Sequence, residues 1–223
     1  MSTLKFYDGS MARSTGKRPK KKRAGRYHHG DLRRALLEEA VRTIQVEGIE
    51  QLTLRAVAEK LGVSRTALYR HFSDKQALLA AVGREGFRLL RGALTSAWEQ
   101  HGRGREGFEA MGLAYVHFAV AHPAHYRVMF GRFLESCSKD AEFVQEATAA
   151  FQVLVDSLVE QQRAGIVRRD DPFTLGRFVW SVVHGMAMLA IDGQLRGTDG
   201  EREALNQYAM ARIRDAISGS GSP

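Results

Sequence analysis

The sequence predicts an all-α fold: an N-terminal three-helix unit followed by a larger helical one, about nine helices in all. Three observations carry this. No stretch alternates apolar and polar residues over the length of a strand. Only two prolines, Pro123 and Pro172, lie between residues 27 and 217. Cap residues recur at the heads of segments whose apolar positions repeat every three or four residues.

Asp31 is expected to cap a first helix in which Leu32, Leu36, Ala40 and Ile44 form one face and Gly48 marks the end. Thr53 caps a short second helix bearing Leu54, Val57, Ala58 and Leu61, closed by Gly62. Ser64 opens a third, Arg65 to Phe72. Ser73 and Gln76 have capping-box spacing, in which each side chain satisfies the other's backbone donor. They begin a long helix through Leu78, Leu79, Val82, Leu89, Leu90, Ala93, Leu94 and Trp98. A Gly/Arg loop, His101 to Gly107, separates front from back. Phe108 to Ala121 is apolar nearly all round and reads as buried. Pro123 starts a helix to about Leu134, and Asp140 to Ala164 forms the next. Asp171-Pro172 is an N-cap followed by proline at the first helical position, where the missing N–H costs nothing. That helix runs to about Asp192. Thr198-x-x-Glu201 opens the last, and no internal repeat is seen. The expected units are a basic leader (1–26), a front domain (27–73), a back domain (74–217) and a tail (218–223).

Composition narrows the function. With 223 residues and 44% hydrophobic content the chain can bury one large core or two small ones. The lone Cys137 excludes an internal disulfide and any Cys-pair zinc site, and fits a reducing compartment. The longest charge-free apolar stretch, Phe178 to Ile191, spans 14 residues, short of a bilayer. Met1 to Arg26 is polar throughout, unlike a secretory signal. The expectation is a soluble cytoplasmic protein with no membrane partner.

The net charge of +8 sits at one end. Residues 1–26 hold nine Lys and Arg against Asp8 alone. A second excess lies in residues 53–75, with Arg55, Lys60, Arg65, Arg70 and Lys75 against Glu59 and Asp74. Such a distribution suits a polyanion, bound through phosphate contact and counterion release. A solvated basic tail is the plainer reading of the leader alone.

The informative stretch is Leu52 to Lys75, L-T-L-R-A-V-A-E-K-L-G-V-S-R-T-A-L-Y-R-H-F-S-D-K. Two short helices meet at Gly62, where a residue without Cβ avoids strain in a tight turn. Val57, Ala58 and Leu61 can close a small core with Val63, Leu68 and Phe72. The opposite face of the second helix then carries Arg65, Thr66, Tyr69 and Arg70. A donor-rich helix of this size fits the DNA major groove, where arginine grips guanine and threonine touches a thymine methyl. Ser64, Thr66, Tyr69 and Lys75 can reach phosphates and set the register.

Residues 27–82, Y-H-H-G-D-L-R-R-A-L-L followed by the stretch above and Q-A-L-L, strongly resemble the DNA-binding domain of TetR-family transcriptional regulators. H-P-A-H-Y-R-V-M-F-G (122–131) and W-S-V-V-H-G (180–185) are similar to the regulatory domain of the subgroup named for its W-x-x-x-H-G signature. The resemblance implies a ligand-responsive regulator, most often a repressor. It implies a homodimer, a palindromic double-stranded DNA operator and a small-molecule pocket in each regulatory domain. By position, Thr53, Arg55, Ser64, Arg65, Thr66, Tyr69, His71 and Lys75 match DNA-touching places, with Arg65 and Thr66 as base readers. The leader is longer than the family's usual short arm.

Aromatic and methionine side chains of the back half mostly read as core, yet their makeup suits an adaptable apolar pocket. Tyr115, Phe118, Tyr126, Met129, Trp180 and His184 are the candidate ligand residues, with His117 as a further polar member. Two helices, 172–192 and 199–217, are the candidate dimer face. His122-x-x-His125 and His117 lack further ligands at metal spacing, so no metal is expected. No Gly-rich phosphate loop, G-x-S-x-G elbow or nucleophile beside a base is present, so neither catalysis nor a cofactor is expected. Cys137 reads as an inert thiol or, if exposed beside Arg132 or Lys139, a redox sensor.

Overall fold

The computed structural model describes residues 29–219. The expectations for the basic leader and for the end of the tail lie outside these residues. Among them the chain forms α1 (His29–Glu47), α2 (Leu54–Leu61), α3 (Arg65–Tyr69), α4 (Lys75–Gln100), α5 (Arg105–Ala121), α6 (Pro123–Phe130), α7 (Leu134–Cys137), α8 (Ala141–Arg163), α9 (Pro172–Ile191) and α10 (Asp199–Ile217). A 3-10 turn, Ile49–Gln51, joins α1 to α2. The nine expected helices are present, and α7 is an additional single turn. The segment expected to carry α6 to Leu134 breaks at Gly131, where a Cβ would stand 2.2 Å from the Arg127 carbonyl oxygen.

Most starts follow the cap chemistry. Thr53, Ser64, Asp140 and Asp171 accept from the backbone N–H of Ala56, Ala67, Phe143 and Thr174. Thr198 and Glu201 form a reciprocal capping box. Two starts differ. Asp31 lies inside α1, which begins at His29. The cap of α4 is Asp74, whose carboxylate accepts from Ala77 N–H at 2.8 Å, while Ser73 donates its hydroxyl to that carboxylate. A charged acceptor at the positive end of a 26-residue helix outcompetes the neighbouring hydroxyl.

The front unit closes over Leu36, Ala40, Leu52, Val57 and Leu68, all fully buried. Lys60 of α2 reaches back to α1, donating to Thr43 Oγ1 at 3.1 Å near the buried Glu39. Helix α4, about 39 Å long at 1.5 Å per residue, then serves both halves. Its first turns bury Leu78, Leu79 and Val82 beside α1, and later turns point Phe87, Leu90 and Leu94 into the back half. Two mid-helix glycines allow close crossings: a Cβ at Gly83 would strike the Phe143 ring of α8 at 2.4 Å, and one at Gly86 the Met129 sulfur of α6 at 2.5 Å. Helix α9 lies against α5 and α8, burying Leu175, Val179, Val183 and Ala187. It is long and apolar enough to cross a membrane by length and composition, because its first turns, with Arg177, extend the 14-residue stretch. Helix α10 packs on α5 and α9.

Candidate nucleic-acid interface and cavity

Helices α2 and α3 meet at Gly62, which is left-handed (φ 65, ψ 27) and sends its N–H back to the Ala58 and Glu59 carbonyls. A Cβ there would meet nothing within 4 Å, so the dihedral and not crowding selects glycine. Leu68 and Phe72 turn inward. On the other side Ser64, Arg65, Thr66, Tyr69 and Arg70 are exposed, Tyr69 by 55%. A duplex therefore has an open approach to the face that sequence analysis singled out. The caps sharpen roles: Thr53 and Ser64 accept backbone N–H groups with their hydroxyl oxygens, leaving the O–H protons to donate outward. Arg55 is exposed and ion-paired to Glu59 at 2.7 Å. His71 is half-buried.

Lys75 has a structural part as well as its expected one. Its ammonium donates to the carbonyls of Ile49 and Glu50 at 3.0 and 3.2 Å and stands 5.7 Å from the Phe133 ring centroid. Burial pushes it below its ordinary value. It clamps the start of α4 to the 3-10 turn with two of its three donors, which leaves the third for a phosphate. Arg132, next to Phe133, pairs with Glu50 on the same turn.

In the back half, α4, α5, α6, α8, α9 and α10 surround a cavity of about 380 Å³. Its walls include Phe87, Leu90, Met111, Tyr115, Met129, Phe130, Phe151, Trp180, Val183, Met210 and Ile213. Of the six candidates, Tyr115, Met129 and Trp180 line it. Phe118, Tyr126 and His184 do not. Phe118 packs on His122 with centroids 5.0 Å apart, and Tyr126 and His184 stand behind Tyr115. His117 is on the surface, 3.0 Å from Glu203 of α10. Phe151 and Leu154 of α8, Met210 and Ile213 of α10, and Arg177 of α9 line it too, outside the six candidates.

Behind the wall runs a polar relay. Trp180 Nε1–H donates to the Tyr115 hydroxyl at 3.0 Å. The Tyr115 and Tyr126 hydroxyls are 3.0 Å apart, and Tyr126 lies 2.6 Å from His184 Nδ1. Every group is satisfied if Tyr115 donates to Tyr126 and Tyr126 to an unprotonated Nδ1. Burial pushes Tyr115 up to about 12 and raises Tyr126 as well, while it lowers His184. The relay is thus neutral near pH 7.

Other candidates resolve simply. His122 and His125 stack edge-on at 5.8 Å, and His125 reaches Glu85 at 3.4 Å. No group of three or more His, Cys, Asp or Glu among the described residues could hold a metal ion. Cys137 is buried, and burial with the Asp140 carboxylate pushes its thiol up, away from reactivity.

Two short helices meeting at a left-handed glycine, the second capped and outward-facing over a three-helix core, form a helix-turn-helix unit. Residues 36–82 match the model for bacterial regulatory proteins of the tetR family, and residues 108–213 the tetracyclin repressor-like C-terminal domain. The chain belongs to the TetR family of bacterial transcription regulators. Over 50 residues it is 46% identical to the tetracycline repressor protein class C of Escherichia coli (22% of this chain, 23% of that protein). Over 53 residues it is 43% identical to the transcriptional repressor AcnR of Corynebacterium diphtheriae (24% and 28%). The chain thus spans about a quarter of the length of these relatives. A solved structure of a protein with unknown function from Rhodococcus sp. RHA1 is alike throughout: 33% identity, TM-score 0.78, covering 87% of this chain and all of that one.

Proposed function

We propose that the protein is a homodimeric repressor that binds a palindromic operator in the cytoplasm and is released by a small effector with an apolar or aromatic body. The observation that carries the reading is the sharing of α4: its first turns underpin the front unit, and its later turns line the cavity. A molecule filling the cavity would press on Phe87, Leu90 and Leu94 and tilt α4, changing the spacing of two front units set roughly 34 Å apart on DNA. Affinity would fall only as far as the effector prefers the respaced state.

In this reading Arg65 and Thr66 read bases, while Thr53, Arg55, Ser64, Tyr69, His71 and the remaining donor of Lys75 hold phosphates. Tyr115, Met129 and Trp180 touch the effector, and Tyr126 and His184 fix Tyr115 and Trp180 from behind. Placing the back half in the W-x-x-x-H-G subgroup is supported by Trp180 and His184, one turn apart with ring centroids at 5.4 Å. A second copy would cover the exposed apolar residues of α9 and α10, Phe178, Leu189, Leu205 and Tyr208. The units 27–73 and 74–217 are then reader and effector domain, and no catalytic residue is assigned.

The test is a gel shift on the palindrome upstream of the protein's own gene, titrated with naphthol as an apolar aromatic probe. Retarded DNA released as the probe saturates supports the switch. A probe that saturates the cavity while DNA affinity stays constant overturns it, as does failure to prefer any palindrome over random duplex.

A further inference from the structure

We infer that the cavity is built for an amphipathic monoanion, an apolar body ending in a carboxylate that Arg177 receives. This rests on the effector reading above and refines it. The walls offer almost no polarity: aliphatic and aromatic side chains, Gly112 and the Tyr115 hydroxyl. That hydroxyl already accepts from Trp180 and is shared with Tyr126 and His184, so the deep end has no vacant hydrogen bond to offer. Arg177 alone among the lining residues carries charge, and it is exposed, which sets it at the opening.

The Asp171 carboxylate feels the charge of Arg177. Its Oδ2 accepts both the N–H and the hydroxyl of Thr174 at 2.7 Å. Among the described residues the Arg177 guanidinium forms no ion pair, so its planar fork of donors is open to an incoming carboxylate, which it matches two bonds at a time. Burial lowers His184, so the layer behind the Tyr115 wall holds no competing cation. An amphipath would thus enter tail first, its body dry and its head at the rim.

Trp180 lines the cavity, so tryptophan fluorescence of the full chain reports filling. Two matched pairs serve as probes at neutral pH: decanoate with decanol, and naphthoate with naphthol. At least one carboxylate is expected to bind about tenfold more tightly than its alcohol. Arg177→Gln should bring that carboxylate down to the alcohol's affinity and leave the alcohol unchanged; the side chain is on the surface, so folding is not at stake. Equal affinities within both pairs, an advantage that survives Arg177→Gln, or no binding by any of the four overturns the assignment. A gel shift in parallel separates the two readings. If decanoate or naphthoate binds through Arg177 but leaves DNA bound, the effector role fails and the anion site stands. If an alcohol releases DNA as well as its carboxylate does, the role stands and the anion site fails.

Discussion

The front and back of this molecule make opposite use of their residues. In the front unit, α1 to α3 fill a small core completely, and the functional side chains are those left outside it. In the back unit the packing stops short, and the functional element is space enclosed by six helices. A reader needs a rigid platform whose donors hold still; an effector site needs room and walls that adapt. Each unit is therefore sensitive to a different kind of change, one to lost atoms and the other to added ones.

The largest expected effect comes from taking atoms out of the reader. Leu68→Ala empties a site that is 1% exposed, at a cost of about 2–5 kcal/mol. In a unit this small the loss should abolish operator binding in a gel shift and lower the unfolding midpoint. A variant that still binds at full affinity would mean the platform is not rigid in the sense argued. Arg65→Ala, on the outer face, should leave the midpoint unchanged and cost about 1–3 kcal/mol of operator affinity, with relaxed sequence preference. Uniform weakening across all sequences would make Arg65 a phosphate anchor instead.

The cavity should respond with the opposite sign. Ala150→Leu adds three carbons at a buried position on the wall. At about 0.8 kcal/mol per buried methylene, less strain, a gain of about 1–2 kcal/mol is expected, with a higher unfolding midpoint. Probe binding should weaken and DNA affinity without probe should hold. A loss of stability would show that the space is already closed by repacking.

What was legible in the sequence follows the same divide. Caps, the turn at Gly62 and the outward face of α3 depend on neighbours within a few residues, and Thr53, Ser64, Asp171 and Thr198 each do what their spacing implies. Side chains whose partners are remote in sequence were not legible. Lys75 meets carbonyls 25 and 26 residues away, and Lys60 meets α1, so two of the five basic residues in 53–75 also hold the fold together. Tyr126 and His184 are aromatic and polar like a pocket lining, yet they support it from one layer behind. Which side of α8 or α10 faces the void is decided by packing alone. One sequence signal does mark a remote contact: Gly83 and Gly86, each costing an isolated helix about 1 kcal/mol, announce that neighbouring helices cross there.

The smallest expected effect joins the two regions' logic, because it concerns polar groups within the apolar half. Burial lowers His184 below its ordinary value of 6.5, so the folded chain binds its proton less readily than the unfolded chain. Stability from this residue is therefore whole above about 6.5 and declines as pH falls from there toward the folded value, levelling off below it. Protonation would also place hydrogen on Nδ1, which Tyr126 needs as an acceptor at 2.6 Å. His184→Gln keeps an acceptor and removes the titration. Unfolding midpoints measured between about pH 5 and 7.5 should fall more steeply on acidification for the natural chain than for the variant. The difference isolates His184 from His122, which burial and the neighbouring His125 also lower. Parallel curves would mean the imidazole is solvated well enough to take its proton freely, and the cavity's back wall would then gain a charge in mild acid.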